Sequence, residues 1–336
     1  MTDSRERAMS DTVNPSISGR PAGVELARPP PSQPEPMLRN EPQPATTGVA
    51  VALAPRTAMC ADGSRLEYFV SETQGPVLVL INALGLGLLT LRGLIEHFSK
   101  SYRVICWKPR GTYGPVRTLR NQVEDLDLIL ANEGVSRCRM VTWCSGAKVG
   151  IEFFRRRPIA SSLVLMNGAY KSIPGLEQHE TPFEQTMLKL CEMVVQRPAL
   201  ASTMMNSMRA LLTGVVPGRK DAVSPLDGVA GGRELKAAIV EPFSSMESTT
   251  HYSHQVIDYL SHDIAPSLAG VDVPVLLLAG QNDQISAAGM SKAIAARLPK
   301  ADYAELPSGT HYGVYEKPEL VTALIDRFFQ AQAASP

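Results

Sequence analysis

Cys144 lies where an apolar strand passes directly into a helix, a position at which a side chain can be held ready for chemistry. The residue at the centre of such a sharp turn needs small neighbours two positions away on either side. Thr142 and Gly146 meet this requirement for Cys144, whereas the indole of Trp143 would be one of the two neighbours of Ser145. We therefore interpret Cys144 as a nucleophile and keep Ser145 as the alternative.

A thiol on this turn would lie over the first turn of the following helix. The free N–H groups and the dipole of the helix favour the thiolate, and a neighbouring imidazole would favour it further. The simpler interpretation is an ordinary buried free thiol. We assign that interpretation to the four cysteines that lack this context, which are Cys60, Cys106, Cys138 and Cys191.

Two further strand ends carry a carboxyl and an imidazole. An apolar strand breaks at Gly280 and is followed by Asp283, and a loop after the last strand carries His311 between small residues. An acid in this position can orient a histidine and stabilise its protonated form. Taken separately, each feature is common without a catalytic role: an acid after Gly280 is ordinary in turns, and a lone loop histidine is usually a surface residue. Together with Cys144 they predict a nucleophile, histidine and acid triad for acyl transfer.

Acyl transfer also requires donors for the developing oxyanion. We predict that one is the backbone N–H of Ser145. The other should come from the glycine-containing loop over 82–87, where the backbone of Leu84 is our choice and that of Ala83 the alternative. The loop does not read as a phosphate-binding site, because no Gly-Lys-Ser or Gly-Lys-Thr follows it.

These side chains need a scaffold that brings strand ends together. Short apolar runs alternate with helical patterns, which predicts a mostly parallel, doubly wound α/β sheet with its carboxyl ends on one edge. The predicted strands are 76–81, 102–107, 139–143, 162–166, 273–279 and 302–306, and the predicted helices are 91–100, 121–133, 145–156, 290–298 and 319–332.

Two segments depart from this alternation. Residues from about 171 to 262 hold helical patterns rich in Met and Leu without a clear strand, which predicts a helical lid inserted into one domain spanning 48–333. Residues 1–47 contain many prolines and few large apolar groups, so we expect a disordered tail.

Composition limits the partners. Lys and Arg number 33 and Asp and Glu also 33, so nucleic acid and membrane are not expected partners. No apolar stretch reaches the roughly 18 residues of a membrane span.

Five cysteines without a CxxC pair indicate free thiols in a cytoplasmic protein. The spacing of His251, His254 and His262 lacks matching carboxylate or thiolate ligands, so no metal site is predicted.

Over about residues 65–330 the chain resembles the α/β-hydrolase superfamily, through the turn around Cys144 and the loops that carry Asp283 and His311. It departs in three places: the usual oxyanion His-Gly reads Asn82-Ala83, the usual Asp-x-x-Gly reads Lys-Pro-Arg-Gly over 108–111, and the usual serine is Cys144. Superfamily members with a cysteine include dienelactone hydrolases and the aminoacyl shuttle enzymes of nonribosomal peptide antibiotic biosynthesis. In its helical insertion and in the turn around Cys144, this sequence is more similar to the shuttle enzymes.

The shuttle resemblance implies transfer of an acyl or aminoacyl group between phosphopantetheine thioesters of acyl or peptidyl carrier proteins, without a cofactor of the enzyme's own. A cysteine suits this reaction because exchange of one thioester for another is nearly isoenergetic, whereas a serine ester would lie lower and favour hydrolysis. The alternatives are a thioesterase or lactone hydrolase with the same triad, and a catalytically silent hydrolase fold that binds a ligand.

Overall fold

The computed structural model describes residues 53–213 and 231–333. The predicted tail over 1–47 lies outside these residues. Eight strands form one sheet: β1 (Leu53–Met59), β2 (Arg65–Ser71), β3 (Val77–Ile81), β4 (Arg103–Cys106), β5 (Cys138–Trp143), β6 (Ala160–Met166), β7 (Val275–Gly280) and β8 (Ala301–Leu306). Their order is β1-β2-β4-β3-β5-β6-β7-β8. β2 pairs antiparallel with β1 and β4, and the remaining pairs are parallel.

The strand order reverses at β3, which pairs with β4 on one side and with β5 on the other. Leu80 lies opposite Cys106 in one pair and opposite Val141 in the other. Ligands of open α/β sheets bind outside the carboxyl ends of the strands at such a reversal. The loops after β3 and β5 are therefore the two that border this crevice.

Helices cover both faces of the sheet. The helices are α1 (Arg92–Phe98), α2 (Leu119–Asn132), α3 (Gly146–Arg156), α4 (Pro182–Gln196), α5 (Ala201–Thr213), α6 (Gly232–Ile239), α7 (Met246–Ser261), α8 (Ala265–Leu268), α9 (Ala288–Ala295), α10 (Gly313–Glu316) and α11 (Pro318–Ala333). One hydrophobic cluster joins α2, α3 and α9 to the sheet, and the other joins α1 and α11 to its opposite face. The predicted mostly parallel α/β sheet is confirmed.

The β1–β2 hairpin was missing from the predicted elements. Its turn contains Asp62 and Gly63, with Gly63 at φ 79°, and the backbone N–H of Cys60 donates to the carbonyl of Ser64 at 2.9 Å. An Asp-Gly pair between strand-forming segments is a hairpin signal. The alternation that predicts a parallel sheet does not include such a hairpin, because antiparallel strands at the edge need no crossover helix.

All the regular elements that the structure describes between β6 and β7 are helices, joined by loops. They include α4 to α8, and α4 packs along α7. α4 starts with a capping box, in which Thr181 Oγ1 accepts from the N–H of Glu184 while the Glu184 carboxylate accepts from the N–H of Thr181. A capping box satisfies two N–H groups that the first turn of a helix leaves free. This places Glu184 at a defined position on the first turn of α4.

Candidate active site

Cys144 occupies a strained turn. β5 ends at Trp143 and α3 begins at Gly146, and Cys144 between them has a φ of 54°, in the left-handed region that residues with a Cβ rarely adopt. A Cβ on Gly146 would lie 2.6 Å from the carbonyl oxygen of Ile81, so the close approach of α3 to β3 requires glycine. The turn therefore has the nucleophile-elbow geometry that the small neighbours of Cys144 predict.

Asp283 and His311 meet at the same edge of the sheet. His311 Nδ1 lies 2.9 Å from Asp283 Oδ2, and both residues are buried. Asp283 Oδ1 accepts hydrogen bonds of 2.8 Å from the backbone N–H groups of Ile285 and Ser286. Burial alone favours the protonated carboxyl, but the charge of His311 and these hydrogen bonds outweigh it and lower the pKa of Asp283.

The Cys144 side chain lies near enough to the ring of His311 to affect its protonation. Because Nδ1 faces Asp283, Nε2 is the ring nitrogen left for the thiol. Burial opposes a charge on the ring, yet Asp283 and Cys144 raise the pKa of His311 well above its ordinary value. A histidine that a carboxylate orients can act as the base for a neighbouring nucleophile. The structure thus brings together the three residues of the predicted triad.

Ser145, the alternative nucleophile, has a different partner. Its Oγ accepts a 2.8 Å hydrogen bond from the backbone N–H of Leu84, the predicted oxyanion donor. The N–H of Ala83, the alternative donor, bonds to Asn82 Oδ1 at 2.8 Å. Both candidate N–H groups of this loop are therefore engaged within the protein. A substrate oxyanion would reach the N–H of Leu84 only if the Ser145 hydroxyl moved.

Asn82 holds the loop after β3 in place. Its Nδ2 donates to the carbonyls of Leu86 at 3.0 Å and Gly87 at 2.8 Å, and its Oδ1 also accepts from Thr90 Oγ1 at 3.1 Å. The side chain is 2% exposed, so its hydrogen bonds are made without competition from water. The Asn82 that departs from the usual superfamily motif thus orders the loop that faces Cys144.

A cavity of about 120 Å³ lies over the triad. Its volume is close to the ~150 Å³ of a cavity that holds benzene. Cys144 and His311 line the sheet side, and α4, α5 and α7 supply mostly apolar walls, with Glu184 as the carboxyl among the lining residues. The lining residues from these helices are Phe183, Glu184, Met187, Met208, Leu212, Tyr252, Val256, Tyr259 and Leu260. The helices between β6 and β7 therefore enclose the space above Cys144.

Two residues around the triad were missed by the analysis of the sequence. Asn167 follows β6 with a φ of 46°, and its Nδ2 donates to Asp283 Oδ2 at 2.8 Å. Trp143 Nε1 donates to the carbonyl of His311 at 3.1 Å, and the two rings lie 5.6 Å apart. Asn167 stands at the end of a predicted strand, and the strand-end rule that selected Asp283 would have selected it too.

A buried lysine links the elbow helix to the helices above the site. Lys148 Nζ donates to the carbonyls of Lys171 at 2.9 Å, Tyr259 at 2.7 Å and His262 at 2.6 Å. Burial lowers the pKa of Lys148 to about 7, whereas three acceptors around Nζ match the three N–H bonds of an ammonium group. Lys148 therefore joins α3 to both ends of the segment that encloses the cavity.

The other cysteines differ in their surroundings. Cys106, Cys138 and Cys191 are buried, and burial raises the pKa of each thiol to about 12. Cys60, which we expected to be buried, is partly exposed and accepts a hydrogen bond from Arg110 Nη2 at 3.2 Å. It lies in the turn region of the β1–β2 hairpin, where the sequence pattern offered no indication of its exposure.

Metal ligands and membrane-spanning helices are the two remaining features of the described residues. Within 53–213 and 231–333, no three side chains among His, Cys, Asp and Glu are arranged to hold a metal ion. The helices in these ranges are all too short or too polar to cross a membrane.

Sequence comparison links the chain to bacterial hydrolases at a distance. No family model matches the sequence. A protein of Azorhizobium caulinodans named "Putative carbamate hydrolase RutD" is 25% identical over 251 residues, which cover 73% of this chain and 87% of that protein. A protein of the same name from Pantoea ananatis is 24% identical over 249 residues, covering 72% of this chain and 84% of that protein.

Several solved structures resemble this chain over most of its length. A hydrolase from Pseudomonas aeruginosa PA01 has a TM-score of 0.64 at 20% identity, covering 82% of this chain and 98% of its own. The enol-lactonase from Burkholderia xenovorans LB400 has a TM-score of 0.61 at 20% identity, covering 82% and 100%. Bromoperoxidase from Bacillus anthracis has a TM-score of 0.66 at 15% identity, covering 82% and 100%. With the strand order and the nucleophile elbow described above, these similarities show that the chain has the α/β-hydrolase fold.

Proposed function

We propose that this protein transfers an acyl group from one thioester to another thiol through a covalent intermediate on Cys144. The observation that carries the proposal is the hydrogen-bonded pair of Asp283 and His311 beside Cys144, which lies on a strained turn at the head of α3. This arrangement combines an activated nucleophile with a base that a third group orients.

In the first half-reaction the Cys144 thiolate attacks the carbonyl carbon of the donor thioester. The bond from that carbon to the donor sulfur breaks, and the departing thiolate takes a proton from His311 Nε2. In the second half-reaction His311 removes the proton from the acceptor thiol, whose sulfur attacks the acyl carbon and releases Cys144 as a thiolate. Asp283 stabilises the imidazolium form of His311 at both stages.

The chemistry of sulfur makes transfer to a second thiol possible. Each half-reaction exchanges one thioester for another, so the acyl group can pass on to a thiol without a large change in free energy. The apolar walls contributed by α4, α5 and α7 limit the access of water to the acyl-enzyme. We propose that the two thiols are phosphopantetheine arms of acyl or peptidyl carrier proteins, as the resemblance to the shuttle enzymes implies.

Hydrolysis by the same triad is the second candidate, and the names of the similar proteins favour it. Both sequence relatives carry the name of a carbamate hydrolase, and one similar structure is an enol-lactonase. The two candidates share the Cys144 acyl-enzyme and differ only in whether a thiol or water accepts the acyl group.

Product analysis separates the two candidates. The protein is incubated with a carrier bearing a labelled acyl thioester and with an empty carrier, and we expect the label on the second carrier and an acyl adduct on Cys144 by intact-mass spectrometry. Cys144→Ala should lose both, and Cys144→Ser should release free acid in place of transfer. Cys60→Ala, which removes another partly exposed thiol, should keep both. Free acid from the native protein would favour hydrolysis, and an adduct that persists in Cys144→Ala would contradict both candidates.

A further inference from the structure

Tyr252 presents a hydroxyl group to the cavity from α7. The residue is partly exposed and lines the cavity together with Cys144. Its Oη keeps accessible surface and has no hydrogen-bond partner among the described residues. Burial raises the pKa of the phenol well above its ordinary value, and the nearby Cys144 raises it further. A side chain that is both accessible and deep in the protein exposes its surface to an internal space, so the hydroxyl is open to the cavity and keeps its proton.

The ring of Tyr252 lies against the loop after β3. Gly85 follows Leu84 in this loop, and a Cβ on Gly85 would lie 3.4 Å from Tyr252 Cδ2. The ring of Phe243 packs edge-on against the ring of Tyr252, with 5.2 Å between the two centroids. In this fold the loop after β3 borders the oxyanion of an acyl transfer. Tyr252 therefore lies on the side of Cys144 where that oxyanion is expected.

The loop itself has engaged its donors. The N–H of Leu84 bonds to Ser145 Oγ at 2.8 Å, and the N–H of Ala83 bonds to Asn82 Oδ1 at 2.8 Å. A negative oxygen in a cavity that excludes water is stabilised by donors that are already aimed at it. A hydroxyl that approaches from α7 would supply a donor that these two N–H groups do not offer freely.

Helix α7 is fixed to the core next to Tyr252. Gln255 Nε2, less than one turn further along the helix, donates to the carbonyl of Arg110 at 2.8 Å. Asp258 Oδ2 accepts from the backbone N–H of Leu119 at 2.6 Å. A donor that is held in place before the reaction needs no reorganisation when charge develops. The anchoring of α7 therefore suits its tyrosine for this role.

Two other tyrosines near Cys144 are placed differently. Burial and, after it, Cys144 raise the pKa of both Tyr170 and Tyr312. Tyr170 Oη is sealed inside the protein without accessible surface. Tyr312 lines the cavity, but its ring packs on the ring of His311 at 5.6 Å between centroids, beside the triad. Of these three tyrosines, Tyr252 alone combines an accessible hydroxyl with contact to the loop after β3.

We infer that the Tyr252 hydroxyl is a catalytic hydrogen-bond donor to the oxyanion that forms when Cys144 attacks an acyl carbonyl. This inference rests on the proposed acyl-enzyme and adds a donor from the helices above it. The Cys144 sulfur bonds to the carbonyl carbon, and the π electron pair of the carbonyl moves to its oxygen. Tyr252 donates to this oxygen without losing its proton. When the C=O double bond forms again, the donor thiolate leaves and takes its proton from His311.

Two reactions of the same sulfur test the inference. Acylation of Cys144 by S-butanoyl-N-acetylcysteamine passes through an oxyanion, whereas iodoacetamide loses iodide from its CH₂ carbon and forms none. Tyr252→Phe should slow acylation by about 10- to 100-fold and change alkylation by less than about twofold. Loss of folding, of access or of the thiolate would slow both reactions. Intact-mass spectrometry of single-turnover samples measures both rates.

Butanal provides an equilibrium readout, because its carbonyl oxygen is its only polar atom. Its reversible addition to Cys144 gives a hemithioacetal that protects the thiol from iodoacetamide, so the degree of protection measures its affinity. Tyr252→Phe should weaken this affinity about fivefold or more, the equivalent of one hydrogen bond. The control is Tyr303→Phe, which removes a hydroxyl from the edge strand β8 outside the cavity. It should leave both rates and the affinity unchanged.

Three results would overturn the inference: acylation as fast in Tyr252→Phe as in the native protein, equal slowing of acylation and alkylation, and a butanal affinity that does not depend on Tyr252. The first result, with a butanoyl adduct on Cys144, would keep the proposed acyl-enzyme and reject the donor. A native protein that iodoacetamide alkylates but the thioester does not acylate would reject the proposed reaction. Butanal would then decide on Tyr252 separately, because its addition requires only a nucleophilic Cys144.

Discussion

The backbone N–H of Leu84 and the hydroxyl of Ser145 are joined by a 2.8 Å hydrogen bond beside Cys144. Ser145 Oγ is the acceptor in this bond, and the described residues offer no acceptor for its own proton. Both residues line the cavity. The hydroxyl proton is therefore free to donate to the carbonyl oxygen of a substrate. The hydrogen bond that Ser145 Oγ accepts from the N–H of Leu84 makes the hydroxyl a stronger donor.

Ser145→Ala should slow the reaction because it removes this hydroxyl donor. We expect kcat to fall by about 10- to 100-fold, with little change in KM, since loss of one oxyanion donor acts on the transition state. Steady-state kinetics of the proposed transfer would measure both constants. An unchanged or increased kcat would show instead that the hydroxyl only fills the position that the oxyanion takes in the reaction.

Asn167→Asp should weaken the hold of Asp283 on His311. The substitution keeps the shape and the tolerance of a left-handed backbone, but it replaces a 2.8 Å donor with a second carboxyl. Two carboxylates this close cannot both ionise easily, so the pKa of the pair should rise. The acidic limb of the pH–rate profile should then move to higher pH by about one unit or more. A profile that coincides with that of the native protein would exclude this positioning role for Asn167.

Lys148→Met should destabilise the fold. The methionine fills a similar volume but leaves the three backbone carbonyls of Lys171, Tyr259 and His262 without their donor. Each buried unsatisfied polar group costs about 1–3 kcal/mol, so a loss of about 3 kcal/mol or more in the free energy of unfolding is expected. Denaturant titration measures it. Lys189→Met, at an exposed position on α4, is the matched control and should change stability by less than about 0.5 kcal/mol.

Glu184 should make stability depend on pH. Between its ordinary pKa of 4.5 and its folded value of about 7, the folded state binds a proton that the unfolded state has released. The contribution of Glu184 to the stability should therefore fall as pH rises through this window and then level off, by about 3 kcal/mol in total at 1.36 kcal/mol per pH unit.

The difference in unfolding free energy between native protein and Glu184→Gln, measured from pH 5 to pH 8, isolates this contribution. The stability contributed by the lowered pKa of Asp283 is lost only as pH falls below about 4, and it is common to both proteins. A difference that stays constant across the range would show that the folded carboxyl titrates at its ordinary value.

Chain order and local pattern were enough to predict the positions of Cys144, Asp283 and His311 at strand ends. Apolar runs form strands wherever they are buried on both faces, and the carboxyl ends of parallel strands share one edge, so residues far apart in sequence can be placed near one another. The small neighbours of Cys144 also predicted the tight turn on which it lies, because the requirement for glycine at Gly146 follows from local crowding.

Only the tertiary structure decided which atoms bond to one another. Leu84 and Ser145 are 61 residues apart, and Asn167 and Asp283 are 116 apart. Such pairs form because two loops pack against each other, and a hydrogen bond tolerates only a few tenths of an ångström in distance. The periodicity of apolar residues places an element but does not specify a loop to that accuracy. For the same reason the burial of Glu184, whose Oε1 has no hydrogen-bond partner among the described residues, became visible only once α4 was placed over Cys144.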